Sequence, residues 1–476
     1  MRAAGAICDH AGMPISRRNL LKLAATSAAG SALLAAGCRP ERARGGPPNL
    51  IFFLSDDQRH DTLGCTGDRL VRTPAIDALA AQGTLFRNAF VTTSICASSR
   101  ASLLTGVSET RHHYTFNTPP LARRFADASY PALLKRAGYR TACIGKFGVQ
   151  LQDEAQNGFL DFYDPRDLPI EKAGTDGQRH HNDEINTDHA LAFLRDVDPA
   201  QPFLLALNFS AAHAQDDDRA RQYHPTTWAK DLYADVHFPP PKLGADYFES
   251  QPEFLKHSLN RERWGWRWDT PEKYQRNLRD YYRMVSGLDH QVGLVMAELR
   301  RLGLLDNSVI VYASDNGCYL GDRGFADKWT HYEESLRVPL IVADQRAPTP
   351  GARVVDALAL NLDVPATLLD LAGIAAPAQY QGRSLLPLMR GAAPADWRHD
   401  FLCQHTMNGA AIPKWIGVRD ERYVYARYFE QQPVFEFLHD LHSDPTEFRN
   451  LAGDAGHAGV LATLRARCDA LKAEWS

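Results

Sequence analysis

The chain has 476 residues and a mass of 53.0 kDa, with 44% hydrophobic and 23% charged residues. That is ordinary globular usage and excludes a disordered, collagen-like or polytopic membrane protein. A formal charge of −4 and a sequence pI near 6.5 exclude a global attraction to nucleic acid, whose binders present a basic face.

The N-terminus reads as address and linker. Ser16-Arg17-Arg18-Asn19-Leu20-Leu21-Lys22 is a twin-arginine pattern, followed by an Ala-rich apolar run from Leu23 to Gly37. At about 15 residues that run is too short to span a bilayer comfortably as a helix. The expectation is a signal peptide over 1–37, read by the twin-arginine export machinery, and a protein that is periplasmic or anchored at the cell envelope of a bacterium. Leu34-Ala35-Ala36-Gly37-Cys38 resembles a lipoprotein processing site, so Cys38 is the candidate lipid anchor and the one expected contact with a membrane. Residues 38–47 read as linker. Removing 1–37 takes away four basic residues and one acidic one, leaving 49 against 56, a net of −7. The six cysteines after Cys38 show no metal-finger spacing.

Asn49–Leu54 is a continuous apolar run, which suits a buried central strand, and it ends in Ser55-Asp56-Asp57. Pro74 to Ala81 predicts a helix, with Pro in the first turn and Gly83 as its stop. Cys96 to Leu104 reads as a loop entering a helix. Pro131 to Ala137 is a helix closed by Gly138, and Tyr139 to Ile144 and Phe203 to Phe209 are strands. Apolar residues at 278, 281, 285, 288, 292, 295, 299 and 302 predict a long helix capped by Gly303. Val309 to Ala313 and Val338 to Val342 are further strands. Alternation of strand and helix predicts an α/β fold: a large, mostly parallel sheet sandwiched by helices, over 48–395. The pattern then changes. Phe401–His405, Trp415–Arg419, Tyr423–Tyr428 and Val434–Leu438 read as successive short strands, with a helix from His457 to Lys472. These predict a smaller antiparallel sheet plus helix over 396–476.

In open α/β sheets ligands bind outside the carboxyl ends of the strands. Three strands place polar residues there: Asp56-Asp57, His213 just past Phe209, and Asp315-Asn316. Three carboxylates and an amide oxygen suit Ca²⁺ or Mg²⁺ better than a soft metal. Taken alone, an Asp-Asp after a strand is more often a turn or a helix cap.

The segment Cys96-Ala97-Ser98-Ser99-Arg100, continuing to Leu104-Thr105-Gly106, resembles the signature of the type I sulfatases of the alkaline phosphatase superfamily, C-x-P-S-R followed by L-T-G. In that family a formylglycine-generating enzyme oxidises the cysteine to formylglycine. The resemblance runs over essentially the whole mature chain. Asp56-Asp57 and Ser314-Asp315-Asn316-Gly317 resemble its two metal pairs, Gly145-Lys146 its G-K motif, and Asp327-Lys328 through Ser335 with Arg337-Val338-Pro339-Leu340 its downstream lysine block. Asp440-Leu441-His442-Ser443-Asp444-Pro445 with Asn450-Leu451 resembles its closing strand. The resemblance implies a nucleophile at residue 96, a hydroxyl activated by Ca²⁺ or Mg²⁺ on Asp56, Asp57, Asp315 and Asn316, sulfate contacts from Lys146 and Lys328, a guanidinium from Arg100 near the nucleophile, and His213 as donor to the leaving oxygen. Two positions depart from the pattern. Ser98 stands where the family has Pro, and Gly148 stands where it has the His of G-K-W-H. His112 and His113, one short loop after the nucleophile helix, are the candidates for that missing part.

From Ala214 to Thr270 the α/β alternation is interrupted by a segment holding Asp216-Asp217-Asp218 and then Arg261, Arg263, Trp264, Trp266, Arg267 and Trp268. Aromatic faces stack on sugars and arginines bind sulfates, so Arg263, Trp264 and Arg267, with His113, are the expected substrate-binding residues. A packed insertion with a tryptophan core is the equal alternative. The expected substrate is a sulfated carbohydrate, with a smaller sulfate ester left open. The alternatives are a phosphonate or phosphodiester hydrolase of the same superfamily and, if Cys96 stays a thiol, a non-catalytic glycan-binding lipoprotein.

Overall fold

A computed structural model describes residues 46–173, 177–346, 352–409 and 411–476. The expected leader over 1–37 and Cys38 lie outside the described residues. Among the described residues no helix is long and apolar enough to cross a membrane, and all six cysteines are free thiols.

Strand β1, Asn49–Ser55, is buried at every position because it has a neighbour on each edge and helices over each face. Leu50, Phe52 and Leu54 enter one hydrophobic cluster, while Ile51 and Phe53 enter the other, the two-residue alternation of a pleated strand between two layers. The sheet is completed by β2 (Thr84–Phe86), β3 (Arg140–Gly145), β4 (Phe162–Pro165), β5 (Phe203–Asn208), β6 (Ser308–Ser314), β7 (Leu340–Asp344) and β8 (Arg353–Val355). Their order is β8-β2-β7-β6-β1-β5-β3-β4. The neighbours β6, β1, β5, β3 and β4 are mutually parallel. Strand β7 runs antiparallel to both β6 and β2, so the sheet is mostly rather than wholly parallel.

Helix α1, Pro74–Gln82, and the long helix Pro271–Arg301 lie where the sequence pattern predicts them. Helix α2, Cys96–Thr105, begins at Cys96 itself, so residue 96 opens a helix rather than a loop. Helices α3 (Asn182–Arg195) and α4 (Leu259–Arg267) precede the long α5, Pro271–Arg301. Thr270 caps α5 by accepting from the Lys273 N–H, Pro271 fills its first turn, and Gly303 beyond it takes φ +67°. Its apolar stripe, Leu278, Tyr281, Val285, Leu288, Val292, Val295 and Leu299, is buried in the second cluster. Helix α6 is Asp363–Leu371.

The C-terminal strands β9 (Asp400–His405), β10 (Trp415–Asp420), β11 (Tyr423–Tyr428) and β12 (Phe435–Asp440) form an antiparallel meander. Helix α7, Ala458–Trp475, buries Leu461, Leu464, Cys468, Leu471 and Trp475. Phe401, Trp415, Val418 and Tyr425 of this small sheet join the same hydrophobic cluster as Phe52 of the large one.

Candidate active site

The carboxyl ends of β6, β1, β5 and β3 lie level, with Leu54 opposite both Ala313 and Asn208, and Gly145 opposite Asn208. Backbone bonds continue just past the strands. The Asp315 N–H donates to Ser55 O (3.1 Å), the Asp56 N–H to Ala211 O (2.9 Å) and the Lys146 N–H to Asn208 O (3.1 Å). Each strand therefore delivers its polar residue to one shallow layer. Gly145 makes the last of these approaches at φ +90°, where a Cβ would come within 1.9 Å of Asn208 O, so only glycine fits.

Helix α2 points its N-terminus into this layer. Ligand atoms of Asp56, Asp57, Cys96 and His213 all lie within 4.8 Å of one another. Arg100, one turn into α2, donates from Nε to Asp315 Oδ2 (2.7 Å) and from Nη1 to Lys146 O (2.5 Å), with Nη2 3.6 Å from Asp56 Oδ2. Lys146 Nζ pairs with Asp56. Lys328 Nζ lies 2.5 Å from Asp57 Oδ1, and His213 Nε2 lies 3.7 Å from Asp57 Oδ2. Asn316 Nδ2 donates to Asp57 Oδ1 (2.6 Å), and the Asp57 N–H to Asp315 Oδ1 (3.2 Å).

Three carboxylates thus face three buried cations. Burial works to raise Asp56, but Lys146, His213, Arg100 and Lys328 together hold it far below the usual carboxylate range. Asp315 moves the other way, pushed up by burial and by Asp56. Lys146 and Lys328 stay charged against the pull of burial, because Asp56 and Asp57 respectively stand beside them. Burial pushes the Cys96 thiol up to about 11, overcoming the two lysines.

Asp56 Oδ1 and Asn316 Oδ1 are buried with no hydrogen-bond partner. A buried polar oxygen without a partner is costly, and together with the carboxylates of Asp57 and Asp315 these oxygens fit a hard divalent cation.

The structure thus brings together Asp56, Asp57, Cys96, Arg100, Lys146, His213, Asp315, Asn316 and Lys328, and it does not bring the expected substrate-binding set there. Arg267 is 0% exposed, and its three nitrogens go to Gln222, Asp327 and Asp216. Arg263 Nη1 donates to Asp216 Oδ2 (2.6 Å) and Asp327 Oδ2 (2.8 Å). Arg267 is thus fully engaged by the chain's own groups, while Arg263 is held to Asp216 and Asp327 through Nη1 alone. Trp264 packs half-buried against the second cluster with the Arg261 guanidinium 3.8 Å from its ring centroid, the packed-insertion alternative. His113 is exposed at the left-handed cap (φ +55°) of the single turn Glu109–His112, outside the cluster. His112 is engaged internally. Its Nε2 lies 3.1 Å from Ser102 Oγ, its Nδ1 accepts the Tyr114 N–H at 2.9 Å, and burial drives its pKa down to about 3.

Both departures from the expected motif have structural accounts. Ser98 is fully buried and donates from Oγ to Tyr114 O (2.8 Å). Gly148, at φ +69°, leaves room for Arg100, whose Cδ would lie 2.7 Å from a Cβ at that position. Asp216 and Asp327 were noted in sequence but not as partners of the arginines, and Asn260 escaped the sequence reading; its Nδ2 donates to Ala326 O (2.7 Å) and Lys328 O (2.6 Å). The Asp216-Asp217-Asp218 run was the one available signal. From the small sheet, Trp415 Nε1 donates to Trp329 O at 2.7 Å, directly after Lys328.

Residues 48–374 match the family model described as Sulfatase, and residues 321–474 match one described as N-sulphoglucosamine sulphohydrolase, C-terminal. Among curated relatives, an N-acetylglucosamine-6-O-sulfatase of Bacteroides thetaiotaomicron is 28% identical over 92% of this chain and 88% of its own length. An arylsulfatase of Clostridium perfringens is 26% identical over 88% and 93%. Among solved structures, one in complex with its substrate D-glucosamine-2-N,6-O-disulfate superposes with a TM-score of 0.79 at 24% identity, over 90% of this chain and 98% of that one. A phosphonate monoester hydrolase of Agrobacterium radiobacter gives 0.74 at 22%, over 90% and 96%. At these identities the two structures show a shared fold.

Proposed function

The chain belongs to the sulfatase family, and on that premise we propose that it hydrolyses sulfate esters on amino-sugar residues of glycosaminoglycan-like carbohydrate, using a formylglycine made from Cys96 and a Ca²⁺ or Mg²⁺ ion held by Asp56, Asp57, Asp315 and Asn316. Support for the substrate comes from the relative that acts on N-acetylglucosamine 6-O-sulfate and from the fold shared with a glucosamine disulfate complex.

The observation that carries the chemistry is the placement of residue 96, whose side chain converges with those of Asp56, Asp57 and His213 to within 4.8 Å. It opens α2 between Lys146 and Lys328, yet burial holds its thiol near 11, leaving roughly one part in ten thousand ionised at pH 7. As a cysteine it is a weak nucleophile in a site otherwise complete for anion transfer. The hydrated aldehyde would supply an attacking oxygen, and the cation would lower the pKa of that hydroxyl. The side chains of this protein do the rest. Lys146 and Lys328, charged throughout the neutral range, receive sulfate oxygens as point charges. Arg100 holds Asp315 and the Lys146 carbonyl in place. His213, with its Nε2 facing Asp57, gives a proton to the departing sugar oxygen. The twin-arginine leader is part of the same reading, sending the enzyme to the cell envelope, where extracellular glycans are met.

Mass spectrometry of the peptide containing residue 96, taken from protein made in its own host, tests the proposal. The expected result is the aldehyde, with turnover of N-acetylglucosamine 6-sulfate exceeding that of a matched phosphonate ester. An unmodified thiol in fully active protein would overturn it.

A further inference from the structure

We propose that Arg263 and Arg267 form a positioning bridge that fixes His213 and Lys328 relative to each other, an inference that rests on reading those two residues as working parts of the sulfatase site. The two arrive on separate segments, His213 beyond β5 and Lys328 beyond β6 on the short hairpin Tyr319–Leu320/Ala326–Asp327. The hairpin pairs Tyr319 with Asp327, and Trp415 Nε1 donates to Trp329 O, yet the backbone around Lys328 is unusual. Asp327 before it has φ +61° and Trp329 after it φ +84°, conformations that residues with a Cβ avoid unless their surroundings impose them.

Helix α4 provides that constraint. Asn260, Arg263 and Arg267 are spaced i, i+3, i+7, one face of a helix. Asn260 Nδ2 donates to the carbonyls of Ala326 (2.7 Å) and Lys328 (2.6 Å). Arg263 joins Asp216, three residues beyond His213, to Asp327, adjacent to Lys328, at 2.6 and 2.8 Å. Arg267 makes the same connection in parallel. Helix α4 is anchored in turn to α5 by Asn277 Nδ2 on Arg267 O (2.8 Å).

Two arginines and two aspartates cancel in charge, so the bridge adds no net attraction for sulfate. With Arg267 fully buried and all three of its nitrogens engaged, its contribution is geometric. A planar fork between two carboxylates sets their separation more tightly than a point charge does. The positioned residues converge on one acceptor, Asp57: Lys328 Nζ on Oδ1 and His213 Nε2 facing Oδ2.

A double-mutant cycle tests this, with 4-nitrophenyl sulfate and N-acetylglucosamine 6-sulfate as substrates. Asn260→Ala and Arg263→Gln are each expected to lower kcat about tenfold or more with KM little changed, as for misplaced groups. In a Lys328→Ala background, itself expected to lose about a hundredfold, Asn260→Ala should cost less than about twofold, because the residue it positions is gone, and Arg263→Gln should cost clearly less than in wild type, its remaining effect falling on His213. A purely structural role would give the same loss in both backgrounds, and that additivity would overturn the bridge while leaving the sulfatase reading intact. Wild-type kcat in both single variants would also overturn it. Wild-type activity in Lys328→Ala would overturn the site reading and the bridge with it. Arg263→Lys keeps the charge but cannot span Asp216 and Asp327 as the guanidinium does, so the cycle can be closed on the bridge itself even if Arg263→Gln fails to fold.

Discussion

Replacing Gly148 by Ala should damage the site through Arg100. The new Cβ would sit 2.7 Å from Arg100 Cδ, whereas carbon atoms pack at about 3.5–4.0 Å, so the guanidinium stem must retreat by roughly 1 Å. Position 148 also has φ +69°, which adds about 1–2 kcal/mol for any residue with a Cβ. The displaced guanidinium would stretch its 2.7 Å contact with Asp315 and its 2.5 Å contact with the Lys146 carbonyl. A hydrogen bond to a charged group contributes about 1.5–3 kcal/mol, so losing one and straining the backbone comes to about 2.5–5 kcal/mol of stability. The displacement, which reaches Asp315 and Lys146 together, should cost about a hundredfold in kcat. Thermal unfolding with and without Ca²⁺, read beside turnover of 4-nitrophenyl sulfate, separates the two effects. The variant should unfold earlier, gain less from Ca²⁺ and turn over slowly. Gly148→His, which restores the residue the motif has elsewhere, should be worse. A Gly148→Ala enzyme with wild-type kcat and melting behaviour would refute the reasoning from Arg100.

Cys96→Ala should abolish turnover while leaving melting within about 1 kcal/mol of wild type, as measured by denaturant titration, because a small buried side chain is replaced by a smaller one. Unmodified protein, made without the generating enzyme, should react with iodoacetamide at residue 96 very slowly at pH 7, the rate rising about tenfold per pH unit toward 11; rapid labelling at neutral pH would contradict the protonated thiol. Chelation should lower the thermal midpoint, and Asp315→Asn should abolish that dependence; a midpoint indifferent to chelator would argue against the cation. His405 is fully buried, neither ring nitrogen has a partner among the described residues, and burial drives its pKa down to about 3. The unfolded chain takes up that proton first, so this contribution to stability is complete above about pH 6.5 and is withdrawn as the pH falls toward 3. His405→Leu should therefore gain on wild type by about 1.4 kcal/mol per pH unit below 6.5, and parallel urea titrations at pH 7 and 5 would show no such gain if the ring is already charged in the fold.

The strand-end aspartates, the nucleophile segment and the two lysines were legible because each is a short motif whose neighbours in sequence are also its neighbours in space. Residues 56–57, 146 and 315–316 follow their strands directly, and strand ends in a parallel sheet converge. The roles of Arg263 and Arg267 were not legible, because their partners lie 47–64 residues away and an arginine beside a tryptophan looks alike whether it meets a ligand or a carboxylate of the same chain. Strand β7 was visible as an apolar run but its direction was not, since hydrophobicity carries no polarity along the chain. Helices α3 and α6 were not anticipated; α3 carries polar and acidic residues through its first turns, including buried Asn182, Asp183 and Asn186, which masks the apolar spacing.

The bond from Trp415 to the carbonyl after Lys328 bears on how such enzymes can be recombined. The antiparallel meander is not an interchangeable cassette that a designer could graft from one relative to another to change which sugar is accepted. Its second strand, at Trp415, holds the carbonyl of the residue after Lys328, so a chimera joined near residue 395 would import a new tether for that lysine along with any new binding surface. Donor and recipient would need matched geometry at positions 329 and 415 before selectivity could be compared at all.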